Sequence, residues 1–186
     1  MTMRIVGVSG SLGSPSRTRA LVDLAVTRGA ARFGAVPATY GLADLQPSLG
    51  QAGTLDALAP PARAIVDELL AADALVVGSP VYKGSYTGLF KHLFDLIEPS
   101  ALAGRPVLLT ATGGGDRHAL IIEHQMRPLF GFFEAATLPT GVYAGTADFA
   151  DGRPSSPALL ARLDRAVEQL APWLGKDRAT AVPTAA

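Results

Sequence analysis

The chain contains no cysteine, which removes disulfides, thiolate metal sites and thiol nucleophiles from consideration. It carries no net charge, with 16 lysines and arginines against 16 aspartates and glutamates. That balance removes the strongest electrostatic cue for nucleic acid or an anionic membrane surface. No stretch approaches the ~20 apolar residues of a membrane-spanning helix. Met1-Thr2-Met3-Arg4-Ile5-Val6 runs straight into a strand-like segment, without the charged and apolar regions of a secretory leader. Only three histidines occur, His92, His118 and His124, and they form no metal-binding motif with nearby carboxylates. What is present is a chain of 186 residues, 48% hydrophobic and 17% charged, able to bury a sizeable core and incompatible with general disorder. The expectation is one domain over 1–174 in a cytoplasmic protein, with residues 175–186 as a loose, disordered tail.

Short β-branched runs alternate with helical patterns. Arg4–Val8, Ala74–Gly78 and Pro106–Ala111 are continuous apolar runs of the kind that strands buried on both faces show. Weaker runs lie at Val36–Tyr40 and Ala136–Tyr143. Between them, Ala62, Ile65, Val66, Leu69 and Leu70 repeat with helical spacing behind Pro60-Pro61, as do Leu89, Leu93, Phe94 and Ile97, and later Leu159, Leu163, Val167, Leu170 and Leu174. The alternation predicts a doubly wound α/β sheet. Gln46–Ala59, rich in small residues, reads as one long loop.

In such sheets, ligands gather at the carboxyl ends of the strands, and three of those ends carry unusual loops. Ser9-Gly10-Ser11-Leu12-Gly13-Ser14-Pro15-Ser16-Arg17-Thr18 opens a helix with hydroxyls, glycines and one cation, a composition that suits a phosphate. It lacks the lysine of a Walker loop and the G-x-G-x-x-G spacing of a dinucleotide fingerprint, which favours a mononucleotide phosphate. Helix capping alone also accounts for such residues. Ser79-Pro80-Val81-Tyr82-Lys83-Gly84-Ser85-Tyr86-Thr87-Gly88 offers two tyrosines and an apolar pair to a flat ring. The plainer alternative is tyrosines that merely cover the sheet. Thr112-Gly113-Gly114-Gly115 brings backbone amides close to a polar ring edge, or else makes a tight turn. Phosphate, planar ring and ring-edge donors together describe a flavin mononucleotide (FMN) pocket.

These three motifs, in this order and at this spacing between about Arg4 and Trp173, resemble the NAD(P)H-dependent FMN reductases of the flavodoxin-like superfamily. The nearest likeness is to the reductases of two-component alkanesulfonate and methanesulfonate monooxygenases. The resemblance implies a three-layer α/β/α fold around a five-stranded parallel sheet of order 2-1-3-4-5. It implies reduction of FMN by NAD(P)H and delivery of FMNH2 to a separate monooxygenase. It assigns Ser9, Ser11, Ser16 and Thr18 to the phosphate with Arg17 nearby. Pro80, Val81, Tyr82 and Lys83 then flank the isoalloxazine, and Thr112, Gly113 and Gly114 meet its pyrimidine side. No side chain is expected to act as a catalytic acid, base or nucleophile, because the cofactor carries the electron chemistry. Glu123-His124-Gln125 falls where some relatives carry an inserted tyrosine in a π-helical bulge at a tetramer interface, so a bulge is expected near Ile122–Met126. An ordinary surface or interface histidine is the alternative for His124.

Phe90, Phe94, Leu129, Phe130, Phe132 and Phe133 exceed what one sheet face needs, suggesting a homodimer or homotetramer, unless all of them are core. Two rival functions remain on the sequence: an FMN-containing quinone, azo-dye or chromate reductase of the same superfamily, and a flavodoxin-like electron carrier. The neutral charge balance argues against the carrier, since such carriers are usually strongly acidic.

Overall fold

Alternation along the central strands sends successive side chains to opposite faces, and the core divides accordingly. In a computed structural model, which describes residues 2–175, strand β1 (Arg4–Ser9) is followed by α1 (Arg17–Phe33) and β2 (Val36–Gly41). Then come α2 (Pro60–Ala71), β3 (Ala74–Pro80), α3 (Gly88–Asp95) and β4 (Pro106–Thr112). Val6, Val8, Leu75, Val77, Val107 and Leu109 point to one face, where α2 and α3 cover them. Ile5, Ala74, Val76 and Leu108 point to the other, against α1 and α5 (Pro157–Glu168). The result is a flavodoxin-like α/β/α sandwich with a parallel sheet of order β2-β1-β3-β4-β5, β5 being Ala136–Thr137, as the resemblance implies.

Close approach of α1 requires the absence of a side chain beneath it. A Cβ built on Gly78 would stand 2.5 Å from both Val22 Cγ2 and Thr110 Oγ1, so the start of α1 is seated directly on β3. That contact places the first turn of α1 beside the ends of β3 and β4.

The fifth strand departs from the expected single run. β5 (Ala136–Thr137) and β6 (Val142–Ala144) pair with β4 in two pieces. Between them Pro139 lacks an N–H, and the freed carbonyls of Leu138 and Pro139 accept instead from the Arg127 guanidinium. Arg127 also donates to Thr137 Oγ1 and makes a two-pronged contact with Glu123. It thereby ties the bend to a π-helix at Ile122–Met126, which runs into α4 (Arg127–Phe132). A short antiparallel ribbon, β7 (Phe149–Ala150) with β8 (Arg153–Pro154), follows β6 and has no counterpart in the sequence expectation. α6 (Ala171–Leu174) closes the described chain.

The segment Gln46–Ala59 is not a plain surface loop. Leu49, Ala52 and Leu58 are buried in the core, Leu55–Ala57 forms a 3₁₀ turn, and His92 Nε2 lies 3.0 Å from both the Leu49 and Ala52 carbonyls. Two acceptors on one ring nitrogen require it to carry the proton. Of the six apolar residues singled out on α3 and α4, Phe90, Phe94, Phe130 and Phe133 form a buried ring cluster with centroids 4.8–6.5 Å apart. Phe132 remains 69% exposed. The tail at 175–186 lies outside the described residues except for Gly175. No helix among the described residues is long and apolar enough to cross a membrane.

Candidate active site

The order of the sheet reverses between β1 and β3, and the crevice outside their carboxyl ends is where α/β sheets bind ligands. The loops leaving those ends are stitched together. Gly10 N–H donates to the Gly78 carbonyl at 2.6 Å, Thr87 Oγ1 donates to the Gly10 carbonyl at 2.9 Å, and Thr87 N–H donates to Ser79 Oγ at 3.1 Å. A cavity of about 290 Å³ opens there. Ser11, Ser16, Arg17, Thr18, Pro80, Val81, Tyr82, Thr112, Gly113 and Gly114 line it, so residues from all three motifs meet in one place.

At the phosphate end, Ser16 caps α1 by accepting from Arg19 N–H at 3.1 Å and keeps its own hydroxyl proton to donate. Among the described residues, the N–H groups of Arg17 and Thr18 have no acceptor, as is characteristic of first-turn amides. No acidic residue occupies the first turn. Exposed amides, a positive dipole end and the Arg17 guanidinium make this an anion-attracting corner.

Two expected phosphate ligands have other duties. Ser9 is fully buried, and its hydroxyl oxygen faces Ser11 N–H at 3.4 Å, so it shapes the loop from beneath and does not line the cavity. Thr18 is 3% exposed, and its hydroxyl lies 2.6 Å from Thr112 Oγ1. One of the two hydroxyl protons is used between them; the pair retains one for a ligand.

The glycine loop after β4 is held from below by β6. Gly113 N–H donates to the Ala144 carbonyl at 3.1 Å, and Tyr143 Oη donates to the Gly115 carbonyl at 2.6 Å. A Cβ on Gly113 would come within 2.2 Å of that Oη. Glycine is therefore required by close approach, and not by an unusual φ. Since the Gly113 amide is occupied, the amides left free between these anchors are those of Gly114 and Gly115, and of these Gly114 lines the cavity. Burial, together with the carboxylates of Asp116 and Asp148, pushes the Tyr143 hydroxyl above its ordinary pKa, so it stays a donor at neutral pH.

On the β3 side, Tyr82 and Ser85 exchange backbone hydrogen bonds of 2.9 and 3.1 Å around Lys83 (φ 53°) and Gly84 (φ 84°). Both central residues are left-handed, the pattern of a type I′ turn. The turn exposes Tyr82 at the cavity mouth and carries Lys83 away from the lining. Ser85 Oγ reaches Gln125 Oε1 of the π-helix at 3.2 Å.

Sequence reasoning missed Tyr143 and Phe149. Phe149 lines the cavity from β7, with the Arg17 guanidinium 5.8 Å above its ring. Tyr143 lies in β6 and Phe149 follows it in β7, so the end of this further strand is the signal that points to them. A larger groove, about 570 Å³, lies between α3 and α4 and is lined by His124, Gln125 and Phe132 among others. It takes only Tyr86 from the three motifs and does not bring them together.

Residues 3–149 match the family model for NADPH-dependent FMN reductases. The chain belongs to the NADPH-dependent FMN reductase family. It is 46% identical over 172 residues to an FMN reductase (NADPH) of Pseudomonas aeruginosa, covering 92% of each chain. It is 45% identical over 173 residues to the NADH-dependent FMN reductase SfnF of Pseudomonas fluorescens, covering 93% of this chain and 92% of that one. Among solved structures, an oxidoreductase from Corynebacterium diphtheriae superposes with a TM-score of 0.82 at 35% identity, covering 95% and 98% of the two chains. The protein is an NAD(P)H-dependent flavin reductase that uses FMN. The free amides of Arg17, Thr18 and Gly114, gathered with the Arg17 guanidinium at one cavity, match what a phosphate and a polar ring edge require of this reductase.

Proposed function

We propose that this reductase passes FMNH2 to a separate, sulfonate-oxidising monooxygenase in the cytoplasm and treats FMN as a passing substrate. In this reading Ser11, Ser16, the amides of Arg17 and Thr18, and the Arg17 guanidinium hold the phosphate. Pro80, Val81 and Tyr82 flank the isoalloxazine, while Gly114 N–H and the spare Thr18–Thr112 proton meet polar edges. Bound FMN supplies the electron chemistry by accepting a hydride from the nicotinamide. The chain's own contribution is to orient the flavin and leave one side open for a second planar ring. Fixed amides facing a ring edge favour the form that carries more negative charge.

The observation that carries the exchange reading is the openness of the cleft. It is only about 290 Å³, near the lower end of the ~300–1,000 Å³ usual for small-molecule sites, with Leu12 and Tyr82 exposed by 51% and 63%. A ligand held there has a short way out. The likeness of Pro80–Gly88 to the sulfonate-type reductases adds the partner class. The same likeness supports a homodimer or homotetramer with His124 and the π-helix at the interface, to be read by light scattering. The deciding experiment is steady-state NADPH and NADH oxidation with free FMN varied, then coupled to an FMNH2-dependent sulfonate monooxygenase. Saturation in FMN together with sulfite release is expected. Turnover that requires a quinone or dye, with flavin retained through dialysis, would overturn the proposal.

A further inference from the structure

Three consecutive glycines give the loop after β4 little stiffness of its own, so its shape depends on what grips its two ends. Both grips come from adjacent residues of β6. The Ala144 carbonyl accepts from Gly113 N–H at 3.1 Å, and Tyr143 Oη donates to the Gly115 carbonyl at 2.6 Å. β6 is in turn paired with the strand that feeds the loop, Tyr143 opposite Ala111 and Ala144 opposite Thr112. The Gly115 carbonyl accepts once more, from His118 N–H at 3.3 Å, but that donor belongs to the loop's own continuation and moves with it. Among the described residues, the Tyr143 hydroxyl is therefore the tie between the downstream end of the loop and the sheet. Between the two grips sits Gly114, which lines the cavity with its N–H free. Tyr143 does not line the cavity and is half-buried behind it.

We propose that Tyr143 is a positioning residue: by holding Gly115 it aims Gly114 N–H at the polar edge of the flavin, and so sets how strongly the site prefers reduced over oxidised FMN. This rests on the FMN reading of the cavity given above. Reduced flavin carries more negative charge on its pyrimidine edge than oxidised flavin does. A fixed N–H discriminates between the two, because a hydrogen bond to a charged acceptor is roughly twice as strong as one to a neutral acceptor. A donor free to swing loses that advantage, since it must be reoriented as the charge arises. The preference bears on release, because a site that favours the reduced form more weakly lets it go sooner. Gly113 offers a second handle on the same hydroxyl. A Cβ there would stand 2.2 Å from Tyr143 Oη, so alanine drives the hydroxyl off Gly115 while leaving the tyrosine in place.

The test is anaerobic calorimetric titration of FMN and of FMNH2 into the wild-type, Tyr143→Phe, Gly113→Ala and Tyr40→Phe proteins. Tyr40 Oη donates to Glu68, and neither residue lines the cavity, so Tyr40→Phe removes a hydroxyl of the same kind with no route to the loop. Tyr143→Phe is expected to lower the ratio of the FMN Kd to the FMNH2 Kd about three- to tenfold, the spread between hydrogen bonds to charged and to neutral acceptors. Gly113→Ala should lower it by a similar factor, and Tyr40→Phe should leave it within about twofold of the wild type. A ratio of two affinities measured on one protein cancels any loss of folded material, and a merely structural loosening would weaken both forms alike. An unchanged ratio in Tyr143→Phe or in Gly113→Ala, or an equal fall in Tyr40→Phe, would overturn the proposal. Failure of the wild-type protein to bind either form would instead overturn the underlying FMN reading.

Discussion

Replacing Gly113 with alanine puts a methyl 2.2 Å from Tyr143 Oη, and the hydroxyl cannot retreat without leaving the Gly115 carbonyl it meets at 2.6 Å. Overpacking costs roughly 1–3 kcal/mol, and losing the hydrogen bond adds roughly 0.5–1.5 kcal/mol. A total of about 2–4 kcal/mol lowers the melting temperature by roughly 4–16 °C for a domain of this size. Tyr143→Phe alone removes only the hydrogen bond and should cost about 1 kcal/mol. The structure makes a sharper claim about the pair. Without Oη, the nearest atom to the new methyl is Tyr143 Cζ at 3.2 Å, a contact relieved by a shift of a few tenths of an ångström. Gly113→Ala should therefore cost little more once Tyr143→Phe is present, giving a coupling of about 1.5–3.5 kcal/mol, nearly the whole cost of Gly113→Ala alone. Urea unfolding of the wild type, the two single variants and the double variant measures it. Additivity within about 0.5 kcal/mol would refute the reasoning that one hydroxyl dictates glycine here.

Ser16→Ala should remove the cap on α1 and cost about 1 kcal/mol in urea unfolding, while also raising the KM for FMN. Lys83→Asn should raise the melting temperature by a few degrees, because asparagine tolerates the left-handed backbone at φ 53° better than lysine. Its effect on FMN KM should be small, since Lys83 does not line the cavity. Arg127→Gln should destabilise the bend between β5 and β6, which relies on that guanidinium for two carbonyls, with a loss of about 1–3 kcal/mol in unfolding experiments. It should also change the acid limb. The hydrogen bond from Arg127 holds the Glu123 carboxyl below its ordinary pKa, so this pair's stabilisation is present above the ordinary carboxylate range and is lost as pH falls through the folded value. Below about pH 4.5, the stability of Arg127→Gln should fall less steeply than that of the wild type, a small difference because Glu123 is half exposed.

The strands β1, β3 and β4 were legible because burial on both faces leaves an uninterrupted apolar run, and their ends were legible because glycines and hydroxyls cluster there. The π-helix was anticipated at Ile122–Met126 through resemblance, not periodicity, and the structure has one at that position. The fifth strand reads as one run because nothing local announces that Arg127, in a different element, supplies partners for the carbonyls at the bend. Gln46–Ala59 reads as loop for a similar reason: its small residues mask how Leu49 and Leu58 reach the core.

Sequence by itself determined the alternating elements, the sheet class and the three loops brought to one end, since these follow from short-range periodicity and from backbone chemistry at strand ends. Tertiary structure alone decided which groups at that end remain free. It turned Ser9 inward, paired Thr18 with Thr112, engaged the Gly113 amide with Ala144, and brought Phe149 against Arg17. A hydroxyl or amide is available to a ligand only if no distant part of the chain has taken it, and distant contacts leave no periodic trace in the sequence.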